Sequence, residues 1–201
     1  MSEPSLILAS SSPRRKEILE AMGIAFTIRT TDVDESLCDG ESAADMVLRL
    51  AAAKAAAIPV IAGQIVIGAD TAVVLEEEFF GKPADADDAL RMLSRLSGRT
   101  HQVVTGLAVA TSDGLERALS VTDVRFRKID PDEARRYWQS GEPQGKAGAY
   151  AIQGRGGVFV EAIMGSYTGV VGLPVFETAR LLRAAGLEVL PAVLTEPQSG
   201  T

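Results

Sequence analysis

Residues 65–75 read Ile-Val-Ile-Gly-Ala-Asp-Thr-Ala-Val-Val-Leu. A run this rich in Val and Ile predicts a central β-strand, and the rest of the chain has to be fitted around it. Before it, Leu6-Ile7-Leu8-Ala9 is a short buried-strand candidate, and Ser12-Pro13 supplies a helix N-cap followed by proline at the first helical position. The spacing predicts a helix over 13–22, with Ile18, Leu19 and Met22 on one face and Gly23 as its stop. A second helix is expected over 42–57, after the acidic loop Asp32-Val33-Asp34-Glu35. Beyond the central strand, Pro83-Ala84-Asp85 opens a helix that turns Ala86, Leu90, Leu93 and Leu96 toward the core and closes at Gly98. Strands over 102–110 and 115–126 are joined by the turn signal Asp113-Gly114, and helices over 131–139 and 174–185 bracket a Gly-rich segment, 141–172. Strands and helices interleave, which predicts an α/β fold with a mixed sheet and flanking helices.

A chain of 201 residues is enough for one domain, or one split into two lobes, with a real core. No repeat or Pro/Ser-rich linker divides it, so residues 1–195 are expected to form one continuous unit, followed by a flexible tail over 196–201. Hydrophobic residues at 46% against 23% charged exclude the composition of disorder. The longest uncharged runs, 55–69 and 162–176, fall short of a membrane span and are broken by Gly and Pro. Met1-Ser2-Glu3-Pro4 opens no secretory signal, and the single cysteine, Cys38, can form no intramolecular disulfide. A cytoplasmic protein without a membrane partner is expected. The formal net charge of -7 disfavours coating a nucleic acid, so any phosphate chemistry must be local.

Three places break local rules. Arg14, Arg15 and Lys16 lie in the first turn of a helix, where the macrodipole disfavours cations. Either this is a solvated basic turn, or an anion docks there on free backbone N–H groups, the hydroxyls of Ser10 to Ser12 and two guanidinium groups. Lys54 falls on the apolar stripe of its helix, four residues after Leu50, and is expected to point inward unless it snorkels from the edge. An inward ammonium needs a carboxylate or a bound anion. Asp70 interrupts the central strand; it either pairs with Lys54 or Lys82, or faces a cleft where it holds a metal or takes a proton from water.

Other conspicuous residues carry blander readings. His101 is the only histidine, which excludes a His-based triad or multi-histidine metal site within one chain; it is expected to cap or pack near a strand start. Trp138 reads as a packing anchor. Asp85, Asp87 and Asp88 suit a helix N-terminal turn better than a metal cluster. Gly154, Gly156 and Gly157 are followed by no helix signal, so a dinucleotide loop is unwarranted.

Taken in order, Ser10-Ser11-Ser12-Pro13-Arg14-Arg15, Asp32-Val33-Asp34-Glu35, Gly68-Ala69-Asp70-Thr71, Gly81-Lys82-Pro83, Lys146-Ala147-Gly148-Ala149-Tyr150-Ala151-Ile152-Gln153-Gly154 and Gly165-Ser166-Tyr167 with Val170-Val171-Gly172-Leu173-Pro174 resemble the Maf family over nearly the whole chain. The stretch Thr168-Gly169 is the one small departure. The resemblance implies a nucleoside triphosphate pyrophosphatase with two lobes around a central cleft, in a fold related to the inosine triphosphate pyrophosphatases. Within the family, Arg14, Thr71 and Gln153 match the specificity positions of the dTTP/UTP pyrophosphatase branch; a Gln amide can pair with the donor and acceptor of a pyrimidine edge. By the same resemblance Asp70 is the proton acceptor, Ser10, Arg14, Arg15, Lys54 and Lys82 bind a nucleoside triphosphate, and Glu35 and Asp70 hold Mg²⁺ or Mn²⁺. The family also suggests a homodimer. Its association with inhibition of septum formation leaves a rival, a nucleotide-binding regulator without turnover, and the related fold leaves a purine or inosine triphosphate pyrophosphatase as a third reading.

Overall fold

The computed structural model describes residues 4–190. The expected tail over 196–201 lies outside them. Its frame is a seven-stranded mixed sheet. In chain order the strands are Ser5–Leu8 (β1), Phe26–Ile28 (β2), Gln64–Leu75 (β3), Glu78–Phe80 (β4), Thr100–Thr111 (β5), Gly114–Phe126 (β6) and Val160–Met164 (β7). The order across the sheet is β2-β1-β3-β5-β6-β7, with β4 also on β3. Only the β1 pairings, to β2 and β3, are parallel. The helices are Pro13–Ala21 (α1), Ala43–Ala56 (α2), Ala86–Leu96 (α3), Pro131–Gln139 (α4), Tyr167–Val171 (α5) and Val175–Ala184 (α6).

One edge of β3 explains where a cleft can form. Its first half pairs with β1 from Ser5↔Gln64 to Leu8↔Ile67, and its second half pairs with β4 from Val73↔Phe80 onward. Residues 68–72 therefore have no strand partner on that side, although their other edge is paired to β5, Asp70 with Gly106 and Thr71 with Thr105. The sheet is notched at Asp70.

Successive side chains of a strand point to opposite faces, and β3 sorts the core accordingly. Ile65, Ile67 and Ala69 pack with Leu19 of α1 and with Leu181 and Leu182 of α6. Further along the strand, Val73 and Leu75 pack with Leu93 of α3, Tyr137 of α4, Phe126 and Phe159. The even-numbered residues Val66, Ala72 and Val74 face α2 through Ala51, Ala55 and Val47. The apolar core is thus gathered at the two ends of β3, and the notch lies between. Burying each Leu, Ile or Phe in these clusters contributes about 2 kcal/mol.

Local signals set most helix ends. Ser42, Asp85, Asp130 and Ser166 each accept a backbone N–H in the first turn of their helix. Asp88 also accepts from Ala84 N at 3.1 Å, so the acidic group at 85, 87 and 88 serves the helix end. Ser12 behaves differently: it occupies the N-cap position of α1, but its hydroxyl makes no cap bond, and no acid lies in the first turn.

Some expectations need correction. The inward face of α3 runs through Ala89, Met92, Leu93 and Leu96; Ala86 and Leu90 are only partly buried, because the helix is rotated toward α4 and the 147–150 segment. Trp138 does pack against the core, but only partly buried; Tyr137 is the more deeply buried aromatic of α4. The glycines at 154, 156 and 157 lie at a 3-10 turn, Arg155–Phe159. Among the described residues, no helix is long and apolar enough to cross a membrane.

Candidate active site

The notch opens into a cleft of about 940 Å³. Asp70 projects from β3 on the face covered by α2, and close docking of α2 is what makes Lys54 its neighbour. Gly68, on the same face, has no side chain to hold the helix away: a Cβ there would overlap the Ala51 carbonyl oxygen and come within 2.8 Å of Ala55 N. Gly106, which pairs with Asp70, plays the same part against Val47 and Leu48. Lys54 is 9% exposed, and its Nζ lies 2.6 Å from Asp70 Oδ1 and 2.6 Å from Glu35 Oε1. Asp70 pairs with Lys54, as one reading of it expects, and it also lines the cleft. The hydrogen bond from Lys54 holds the Glu35 carboxyl below the usual range, against a smaller opposing effect of partial burial.

The basic turn at the start of α1 divides into three different environments. Lys16 is solvated and pairs with Glu20 at 3.6 Å. Arg14 faces the cleft. Arg15 is tied into the wall, donating through Nε to the Gly172 carbonyl at 2.9 Å, through Nη1 to Ser10 Oγ at 3.1 Å and through Nη2 to Thr71 Oγ1 at 3.4 Å. A guanidinium carries about five N–H donors, so two remain for a ligand. Burial lowers the pKa of both arginines without threatening their charge. The uncapped N-terminus of α1 adds backbone N–H groups to this corner.

Thr71 points to the opposite face of β3 from Asp70. Its hydroxyl lies 2.9 Å from Thr105 Oγ1, which in turn donates to the Gly169 carbonyl at 2.9 Å. Lys82, just after β4, is exposed at the rim. Gln153 stands on a loop held by Glu142. That carboxylate accepts from Tyr137 Oη at 2.7 Å, Gly156 N at 2.9 Å and Arg155 N at 2.9 Å. Burial alone would push Glu142 up, but these donors outweigh it and hold the carboxyl low. Glycine at 154 leaves room for this carboxylate: a Cβ there would meet it and push the Glu142 side chain aside.

The residues expected to bind substrate, choose the base, take the proton or hold a metal, Ser10, Arg14, Arg15, Glu35, Lys54, Asp70, Thr71, Lys82 and Gln153, all line this one cleft. Lys146, which the sequence marks only as part of a motif, lines it too; burial, and then the nearby Arg14 charge, lower its pKa. Apolar walls come from Leu37, Met46, Phe79 and Tyr150. His101 is outside, fully buried on β5, with Nε2 2.9 Å from Tyr150 Oη.

The carboxylates also bear on a metal. Among the described residues no three His, Cys, Asp or Glu are grouped to cage one. Glu35 and Asp70 do converge on a single cation, the Lys54 ammonium. Two carboxylates fit an oxygen-seeking divalent ion that takes its other ligands from phosphate and water.

Fold and cleft together define an α/β protein with paired carboxylates and a cation-rich corner in one notch, a combination suited to a small polyanion. The chain belongs to the Maf family: the family model for Maf-like proteins matches residues 5–185. It is 47% identical over 188 residues to the dTTP/UTP pyrophosphatase of Hahella chejuensis, covering 92% of this chain and 94% of that protein. It is 52% identical over 187 residues to the dTTP/UTP pyrophosphatase of Anaeromyxobacter dehalogenans, covering 91% and 95%. The corresponding protein of Methylococcus capsulatus is 50% identical over 184 residues, covering 90% and 91%.

Proposed function

We propose that this protein hydrolyses dTTP and UTP to the nucleoside monophosphate and pyrophosphate. The observation that carries this is Asp70, set where β3 is unpaired along one edge and held by Lys54 in the cleft that also receives Arg14, Arg15 and the open end of α1. Family membership and relatives near half identity that carry this activity in their names support it.

The triphosphate lies against Arg14, the two free N–H groups of Arg15, Ser10, Lys54 and Lys82. Asp70 accepts a proton from a water whose oxygen attacks the α-phosphorus. The new bond joins that oxygen to the α-phosphorus; the bond that breaks runs from the α-phosphorus to the oxygen bridging to the β-phosphate. Pyrophosphate leaves with that bridging oxygen. Mg²⁺ or Mn²⁺ held by Glu35 and Asp70 would supply neutralisation of charge on the phosphate oxygens. Arg14, Thr71 and Gln153 select the base.

Incubation with a panel of nucleoside triphosphates and Mn²⁺, with pyrophosphate measured, tests the reading. Release from dTTP and UTP ahead of purine nucleotides is expected. Tight binding with no product would favour a nucleotide-binding regulator instead.

A further inference from the structure

Three oxygens in a row decide which way one hydroxyl can point. Thr105 is fully buried and does not line the cleft. Its hydroxyl contacts two oxygens at 2.9 Å, the Gly169 carbonyl and Thr71 Oγ1. A carbonyl only accepts, so the single Thr105 proton goes to Gly169. The hydrogen bond between the two threonines must then be donated by Thr71. From its other side Thr71 Oγ1 accepts from Arg15 Nη2. Its proton is turned into the wall, and what it presents to the cleft is a lone pair.

We propose that Thr105, without touching substrate, acts as a positioning residue that makes Thr71 an acceptor-only group and thereby selects a pyrimidine ring bearing N3–H over one bearing a bare N3. This rests on the pyrimidine triphosphate reading above. Phosphate oxygens are acceptors and gain nothing from Thr71. A sugar hydroxyl can donate or accept, and needs no such fixed polarity. The donor on a thymine or uracil ring is its N3–H, whereas cytosine places a lone pair at the same position. Two facing acceptors repel, and a buried acceptor left without a donor is costly. The polarity reaches Thr71 from a carbonyl on α5, so a group remote from the ligand sets which base it meets.

Dissociation constants for dTMP and dCMP on the wild type, Thr105→Val and Thr105→Ser test this without requiring turnover. The wild type should prefer dTMP. Thr105→Val removes the inward acceptor and lets the Thr71 proton turn to the cleft, which should shrink the preference about tenfold, the equivalent of one hydrogen bond. Thr105→Ser keeps the hydroxyl and should keep the preference. If Thr105→Val does not fold, Thr105→Ala removes the same acceptor without adding bulk. A purely structural role would weaken both nucleotides together, and an unchanged ratio in a folded variant overturns the proposal, as does a wild type that binds the two equally. A wild type that prefers dTMP but releases no pyrophosphate from dTTP would sink the activity and leave this selection standing.

Discussion

The Lys54 ammonium sits 2.6 Å from the Asp70 carboxylate although the two arrive from different elements, a helix and a strand, brought together through glycine contacts. Because Glu35 reaches the same ammonium, one lysine keeps two acids at a common point. Replacing Asp70 by Asn preserves its shape and a partner for Lys54 but removes the carboxylate proposed to accept the proton. Pyrophosphate release from dTTP should fall about 100-fold or more, with the thermal midpoint little changed. A variant with near wild-type rates would reject Asp70 as the base.

Replacing Lys54 by Met takes away the shared cation and leaves two carboxylates in mutual repulsion. Stability should drop by about 2 kcal/mol, less than for a wholly buried pair because Glu35 is half exposed. Mn²⁺ should raise the melting temperature of this variant more than that of the wild type, since only the variant lacks a resident cation between the acids. An equal response of both proteins would count against Glu35 and Asp70 as the metal site.

Gly68→Ala is expected to cost about 3 kcal/mol, because its new Cβ overlaps the backbone of α2 at Ala51 and Ala55 and neither can move independently of the helix. Activity should fall as well, since α2 carries Lys54. Urea unfolding together with a dTTP assay measures both effects.

Glu142→Ala removes the acceptor for Tyr137, Arg155 and Gly156 at once. The loop bearing Gln153 should loosen. A severalfold rise in KM for dTTP is expected, larger than the change in kcat, with a stability loss of about 1 kcal/mol. A kcat effect without a KM effect would argue that the loop does not contact substrate.

His101 gives the pH prediction. Burial lowers its pKa to about 4 from an ordinary value of 6.5. Between these values the unfolded chain takes up a proton that the folded protein refuses, so stability is full above about 6.5 and declines as pH falls toward 4. The whole decline amounts to about 3 kcal/mol. Comparing urea midpoints of the wild type and His101→Gln from pH 7.5 to 5 isolates it; parallel curves would show that His101 is not the titrating group.

The sequence was most legible where one period or one cap dominated. The apolar run of β3, the strands β5 and β6 around Asp113-Gly114, and the helices opened by Ser42, Asp85 and Asp130 all lie within a few residues of expectation. The misses are short or partly exposed. Phe26–Ile28, Glu78–Phe80 and Val160–Met164 are strands because a neighbour supplies their hydrogen bonds, and three to five residues carry no period that would announce this. In the cleft, Lys54 and Asp70 were readable because each violates its local pattern. Glu142, Thr105 and Lys146 violate nothing: a polar residue in a loop, a threonine in a strand and a lysine before a turn are ordinary until long-range contacts give them partners.

The bond from Arg15 to Gly172 has a consequence for synthesis. It spans 157 positions, so a nascent chain can lay down β1, α1 and the whole of β3 long before the carbonyl that anchors this guanidinium leaves the ribosome. Until then Arg15 has only Ser10 and Thr71 to direct it, and its shortest bond is missing. The anion corner, written almost first in the chain, is therefore among the last features to be completed, and a half-made protein holds its carboxylates without the finished cradle that faces them.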